Sequence, residues 1–190
     1  MDLLGDIPIF TRCWGTGIIL LNFALWCDFL TVYDVVYSWD AVYNRKQYLR
    51  LIYGVFYIKL SPELLMNAFV SLSSLQQIEQ STADKRKLAL KILFLYVSIV
   101  VCIGYTDLPV LSIGEVMGMN MWYYSSKKSN NPAILLVNAA VDQIWIPLSL
   151  VSFMYLTGIL KLAQAFSLVL PGHMLYFIDE AMSKTYGINM

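Results

Sequence analysis

Four apolar runs dominate the chain: Trp14–Leu30, Leu88–Tyr105, Ile144–Leu160 and Leu162–Ile178. Each approaches the roughly 17–25 apolar residues that a helix needs to cross a hydrocarbon core of about 30 Å. The first holds Asn22 and, near its far end, Asp28, which is expected close to the headgroups. Only Lys161 separates the last two runs. One span of their combined length would be excessive, and Gly158 offers a break, so the pattern predicts two helices. Two further segments are weaker. Leu108–Tyr124 is apolar but contains Glu115, and Leu64–Ile78 is short and carries Asn67, Ser71 and Ser74. Those three recur at i, i+4 and i+7, a polar stripe on a helix whose bulk comes from Leu65, Phe69, Leu72 and Leu75.

The stretch from Thr31 to Pro62 breaks the pattern, being too polar to span and too aromatic for an ordinary loop. Tyr33, Tyr37, Trp39, Tyr43, Tyr48, Tyr53, Phe56 and Tyr57 are interleaved with Asp34, Asp40, Arg45, Lys46, Arg50 and Lys59. Tyrosine and tryptophan settle at headgroup depth because one end of each is apolar and the other wants water. Short amphipathic helices in the non-cytosolic membrane interface are expected here. No linker, low-complexity tract or repeat divides the chain, so residues 1–190 read as a single membrane domain.

Composition agrees: 58% of residues are hydrophobic and 14% charged, where soluble domains carry about 25% charged residues. The net charge of zero removes any electrostatic case for nucleic acid. Cys13, Cys27 and Cys102 have no metal-ligand spacing and read as small core residues, and no cofactor is expected. Asp2, Asp6 and Arg12 do not make the basic start of a signal peptide, so the first apolar run reads as a span.

Several local patterns resemble the derlin family. Gly5-Asp6-Ile7-Pro8 with Thr11-Arg12 looks like its N-terminal signature. The aromatic loop carries Val35-Val36-Tyr37-Ser38 with Asp40, then Gln47-Tyr48-Leu49-Arg50-Leu51. Pro147, Phe153, Tyr155 and Gly158 follow the fifth-helix pattern, Pro171-Gly172-His173 with Tyr176 the sixth, and Tyr186-Gly187-Ile188 comes soon after it. Together they are most similar to the fungal branch, and their order covers nearly the whole chain. The resemblance implies an all-α, rhomboid-like bundle of six spans, about 14–30, 62–80, 88–105, 108–124, 144–160 and 162–178, without proteolysis. It assigns structural roles to Pro8, Thr11, Arg12, Arg50, Pro147, Gly172, His173 and Tyr176.

The same resemblance implies residence in the endoplasmic reticulum membrane and a part in degrading misfolded proteins. Its implied partners are a multi-spanning RING ubiquitin ligase with its scaffold and lumenal-receptor subunits, the misfolded polypeptides themselves and membrane lipid. A lumen-facing half-channel, a locally thinned membrane and a lateral gate between the second and fifth spans are implied as well. Two departures stand out: Leu49-Arg50 replaces the Trp-Arg pair of many derlins, and Leu168 four before Gly172 removes a GxxxG. With six spans both termini share a side. That side holds Arg12, Lys85, Arg86, Lys87, Lys91, Lys127, Lys128 and Lys184, against Arg45, Lys46, Arg50, Lys59 and Lys161 opposite, and the excess votes for cytosolic termini. Lys85-Arg86-Lys87 then reads as a solvated anchor, and Lys127-Lys128 with Asn130-Asn131-Pro132 as a cytosolic turn.

An intramembrane serine protease shares the fold and is the sharpest rival. Its chemistry needs a serine in a Gly-x-Ser-Gly turn beside a histidine base. The nearest candidate, Ser112, is flanked by Val110 and Ile113, with Gly114 one residue late. At about 1.5 Å per residue, Ser112 lies roughly 6 Å below Leu108 and His173 roughly 16 Å below Leu162, so the pair does not meet. His173 reads as a hydrogen-bonded packing residue. Glu115 is costly facing lipid, so it either bonds a neighbouring helix or borders a hydrated cavity. In the second case Asn67, Ser71 and Ser74 would line a substrate path and Glu115 would keep it wet. A transporter is disfavoured by the lack of an internal repeat, while a purely structural ligase subunit stays open.

Overall fold

The computed structural model describes residues 7–58, 65–106, 112–129, 132–134, 140–142 and 145–186. Helix α1 spans Ile9–Trp26, starting five residues before the apolar run because Thr11 and Arg12 belong to its first turns. It ends early too. Asp28 takes a left-handed backbone with φ of 57°, which turns the chain and leaves Phe29 and Leu30 outside the helix.

The aromatic stretch folds as short helices: α2 Val32–Val35, a π-helical turn Asp40–Asn44, and α3 Leu49–Phe56. The start of α2 is closed by Asp34, whose Oδ2 accepts from Thr31 N at 2.9 Å and Thr31 Oγ1 at 2.6 Å. These bonds hold the Asp34 carboxyl below the usual carboxylate range. The segment does not only lie on the bundle. The Trp14 indole donates to the Val55 carbonyl at 3.0 Å and Tyr96 donates to the Leu51 carbonyl at 3.3 Å, so α3 is wedged between helices. Gly114 makes room for it: a Cβ there would stand 2.6 Å from the carbonyl oxygens of Val55 and Tyr57.

Helices α4 Leu65–Ser81, α5 Lys85–Thr106 and α6 Ile113–Ser129 follow. Strands β1 Pro132–Ile134 and β2 Ala140–Asp142 pair antiparallel, Ala133 facing Val141. This small hairpin is the exception to an all-α expectation. Helix α7 covers Trp145–Leu156 and α8 Leu162–Tyr176, and a π-helical turn Phe177–Met182 leads into α9 Ser183–Tyr186. Gly158 between α7 and α8 has φ of 75°, a conformation that glycine adopts without strain, and it breaks the apolar stretch as the sequence predicts.

Helix α6 differs most from its predicted 108–124. It runs on through Lys127 and Lys128, cations that favour a helix C-terminus, so half of the expected turn is helical. Asn130 and Asn131, with Leu108, Val110, Gly5, Asp6, Lys59, Pro62 and Gly187-Ile188, lie outside the described residues.

Helix α6 also forms the centre. Val116, Met117, Asn120, Met121 and Tyr124 are all buried, and α4, α8, α3 and α5 pack around them. The outward faces are as apolar as the core: Ile19, Leu20 and Phe23 on α1, and Leu90, Leu93, Val97 and Val101 on α5, are exposed. Helices apolar all round are at home in hydrocarbon. By length and hydropathy α1 and α5 are able to cross a membrane, and Pro147–Leu156 is a shorter apolar helix. That same exterior explains the cysteines, which are not core residues: Cys13 is exposed, and Cys27 and Cys102 are half-buried.

Candidate functional site

The polar stripe of α4 passes through two environments. Asn67 is exposed, while Ser71 and Ser74 are buried at 6% and 3%. Ser71 faces α6 at Gly118, where a Cβ would stand 2.0 Å from its Oγ. Ser74 returns its hydroxyl to the Val70 carbonyl of its own helix at 2.8 Å. The stripe thus begins in the open at the N-terminal end of α4 and then enters the α4–α6 interface.

Glu115 sits in the first turn of α6. Its Oε2 accepts from Ser112 N at 2.9 Å, and its own N–H donates to Ser112 Oγ at 3.1 Å. This reciprocal pair is a capping box, which satisfies two amides that a helix start leaves without partners. The Ser-x-x-Glu spacing announces it in the sequence, whereas the expectation above was a bond to a neighbouring helix or a place beside a hydrated cavity.

Ser112 is 3% exposed and donates its hydroxyl to the Tyr57 carbonyl. His173 lies elsewhere, its Nδ1 2.9 Å from the Tyr123 hydroxyl. Tyr123 is eleven residues beyond Ser112 on one helix, about 16 Å along its axis. Serine and histidine are therefore not brought together. Beside His173 an open groove of about 410 Å³ runs between α7 and α8, lined mainly by apolar side chains such as Val151, Phe166 and Val169.

One buried polar cluster among the described residues is not legible in the sequence. Just past α8, Asp179 receives the ammonium of Lys91 at 2.7 Å and that of Lys128 at 3.3 Å, and the Tyr124 hydroxyl as well. Lys91 is 5% exposed and the Asp179 side chain 9%. Burial pushes the carboxyl up, but hydrogen bonds from Lys91 and Tyr124 and the two lysine charges outweigh it, leaving Asp179 below the ordinary range. Lys91, counted above only for topology, is thus a tertiary partner. Distance along the chain hid the cluster, since its members come from α5, α6 and the turn after α8.

The Der1-like family model matches residues 7–190. The chain belongs to the Der1-like family. It is 33% identical to "Degradation in the endoplasmic reticulum protein 1" of Saccharomyces cerevisiae over 197 aligned positions, covering all of this chain and 91% of the yeast protein. The derlin resemblance expected from the motifs is borne out.

In this Der1-like chain the N-terminal signature docks α1 on α4. Pro8 is the N-cap of α1, and Glu79, in the last turn of α4, accepts from Phe10 N at 3.0 Å and from Thr11 N and Thr11 Oγ1, both at 2.9 Å. Arg12 Nη2 donates to the Ile7 carbonyl at 2.9 Å. Arg50 ties the aromatic segment together, donating to the Val36 carbonyl at 3.0 Å and to Gln47 Oε1 at 2.6 Å. Pro147 is buried in the first turn of α7, where its missing N–H costs nothing. Pro171 lies inside α8, and the adjoining Gly172 N–H goes to Asn120 Oδ1 of α6 at 2.7 Å. A Cβ on Gly172 would meet the Asn120 carbonyl at 2.8 Å, so close α6–α8 packing needs no GxxxG. The Tyr176 ring lies under the Lys127 ammonium, 5.6 Å from its centroid.

Proposed function

We propose that this Der1-like protein is a non-catalytic subunit of degradation at the endoplasmic reticulum membrane. It spans that membrane six times with cytosolic termini, and forms a lumen-facing half-channel through which misfolded lumenal proteins reach the cytosol. A multi-spanning RING ubiquitin ligase, with its scaffold and lumenal-receptor subunits, completes the path. The yeast relative's name supports the compartment and the process.

One observation carries the half-channel reading. Helix α7 has 12 residues, about 18 Å of rise, against a hydrocarbon core of about 30 Å. It packs mainly on α8 and α6, with no comparable contact to α4 among the described residues. A short helix pulls the bilayer thin beside it, and the α4–α7 side is left for a passing chain. An unfolded polypeptide carries unpaired backbone groups that cost several kcal/mol each in hydrocarbon, so a shorter and wetter path lowers the barrier without covalent chemistry. Exposed Asn67 borders that path, with Ser71 and Ser74 buried further along α4 and Glu115 closing the start of α6. Ser112, engaged by Tyr57 and far from His173, supports a non-catalytic role.

The test is export of a misfolded lumenal substrate in cells whose sole copy carries Asn67→Leu. Asn67 is exposed, so the protein level should not change. Substrate half-life lengthened several-fold at a normal level supports the path. An unchanged half-life counts against it, and loss of the ligase complex instead would mark a structural subunit.

A further inference from the structure

We propose that the chain carries a binding site for the net-negative headgroup of an anionic phospholipid at the C-terminal ends of α4 and α6. The site is a cavity of about 250 Å³ lined by Gln77, Ile78, Ser81, Tyr124, Ser125 and Lys128. It joins an amide, hydroxyls and a lysine to an apolar wall made by Ile78 and the Tyr124 ring, which suits an anionic headgroup whose glycerol end continues into lipid.

Its electrostatics come from the cluster described above. Two lysines share one carboxylate, so the group retains one positive charge. Lys91 is the tighter partner of Asp179 and is sealed from solvent, whereas Lys128 stands 3.3 Å away and its side chain is 32% exposed. A lysine ammonium has three donors. Lys128 points one at Asp179 and one at the Tyr124 hydroxyl, 3.4 Å away, and the third has no hydrogen-bond acceptor among the described residues, the ammonium otherwise meeting only the Tyr124 ring, 5.7 Å from its centroid. The acid therefore positions the ammonium at the cavity instead of neutralising the site. Ser125 donates to the Trp122 carbonyl and Ser81 to the Ile78 carbonyl, and either hydroxyl would exchange that bond for one to an anion.

Under the proposed topology these helix ends face the cytosol, where the leaflet is rich in anionic lipid and basic pockets between helices take up headgroups. That placement alone rests on the function proposed above. Lys127 supplies the contrast, since it neighbours Lys128 in sequence but does not line the cavity.

The experiment counts phosphatidylinositol molecules retained by the whole protein in an uncharged detergent, by native mass spectrometry, with phosphatidylcholine as the reference lipid. Salt at about 0.15 M screens non-specific attraction of the lipid by exposed basic residues to within about 8 Å. One phosphatidylinositol should remain bound in preference to phosphatidylcholine. Lys128→Gln should weaken it about ten-fold, the loss of one charge-assisted hydrogen bond. Ser81→Leu should weaken it comparably by filling the exposed rim while leaving the ion cluster whole. Lys127→Gln should leave affinity within about two-fold, below what one hydrogen bond contributes. Equal retention of both lipids, equal losses in Lys127→Gln and Lys128→Gln, or full displacement by inorganic phosphate would each overturn the assignment. The assay uses neither ligase nor substrate, so its failure leaves the export reading intact, and failure of export leaves the lipid site intact.

Discussion

Glu79 shows how much one side chain can arrange. The first turn of a helix leaves amides without partners, and in α1 two of them, from Phe10 and Thr11, find the same carboxylate on α4. Replacing Glu79 with alanine should cost about 2 kcal/mol, the upper range for a lost cap, read as a lower thermal midpoint in detergent, with Glu79→Gln milder. Asp179 is the other decisive residue. Asp179→Asn leaves the sealed Lys91 without its counter-charge, and breaking such a pair costs about 3–5 kcal/mol, again read from thermal unfolding. The same group sets an acid limit. Its carboxyl titrates lower in the folded protein than its ordinary 3.8, so the stability it contributes is complete above that value. It is lost as pH falls through the folded value. Unfolding followed against pH should show a drop below about 3.8 that Asp179→Asn abolishes.

At the scale of elements, α6 is the axis on which the others are registered. Small residues set its distances: Gly114 admits α3, Gly118 admits α4 and Gly172 admits it to α8. Gly118→Ala would press a methyl to 2.0 Å from Ser71 Oγ and 2.8 Å from its Cβ. Overpacking of this kind costs about 1–3 kcal/mol, and Ser71→Gly in the same chain should return most of it. A thermal-stability cycle of the two single variants and the double checks this, and additive losses would mean that the helices do not meet there. The cap of α6 belongs to the same scale. Ser112 is both its N-cap and the tie to the Tyr57 carbonyl, so its conspicuous position reflects helix start and loop docking together.

For the whole molecule, the apolar exterior and the short α7 fit the proposed role at the membrane. Purification of the native protein in mild detergent should recover a stoichiometric membrane RING ligase. Recovery of the isolated chain would sink the complex proposed above. Purified protein incubated with model transmembrane segments should give no cleavage that depends on Ser112.

What could be read from the chain itself was whatever depends on neighbours in sequence. Apolar runs, the break at Gly158, the aromatic segment and the order of the derlin motifs all follow from local composition and spacing. The Ser112–Glu115 box was equally local, and was missed because the glutamate was weighed by its cost in lipid and not as the third residue of a helix. Tertiary structure alone decided the rest. Hydropathy measures transfer to lipid, and cannot see that Glu79 completes α1, that α3 enters the bundle, or that Asp179 meets Lys91 from 88 residues away. Nor does a stripe of Asn67, Ser71 and Ser74 say which neighbour covers it. Packing opened its first member and closed the other two against Gly118 and its surroundings, because burial is set by the facing helix as much as by the helix that carries the residue.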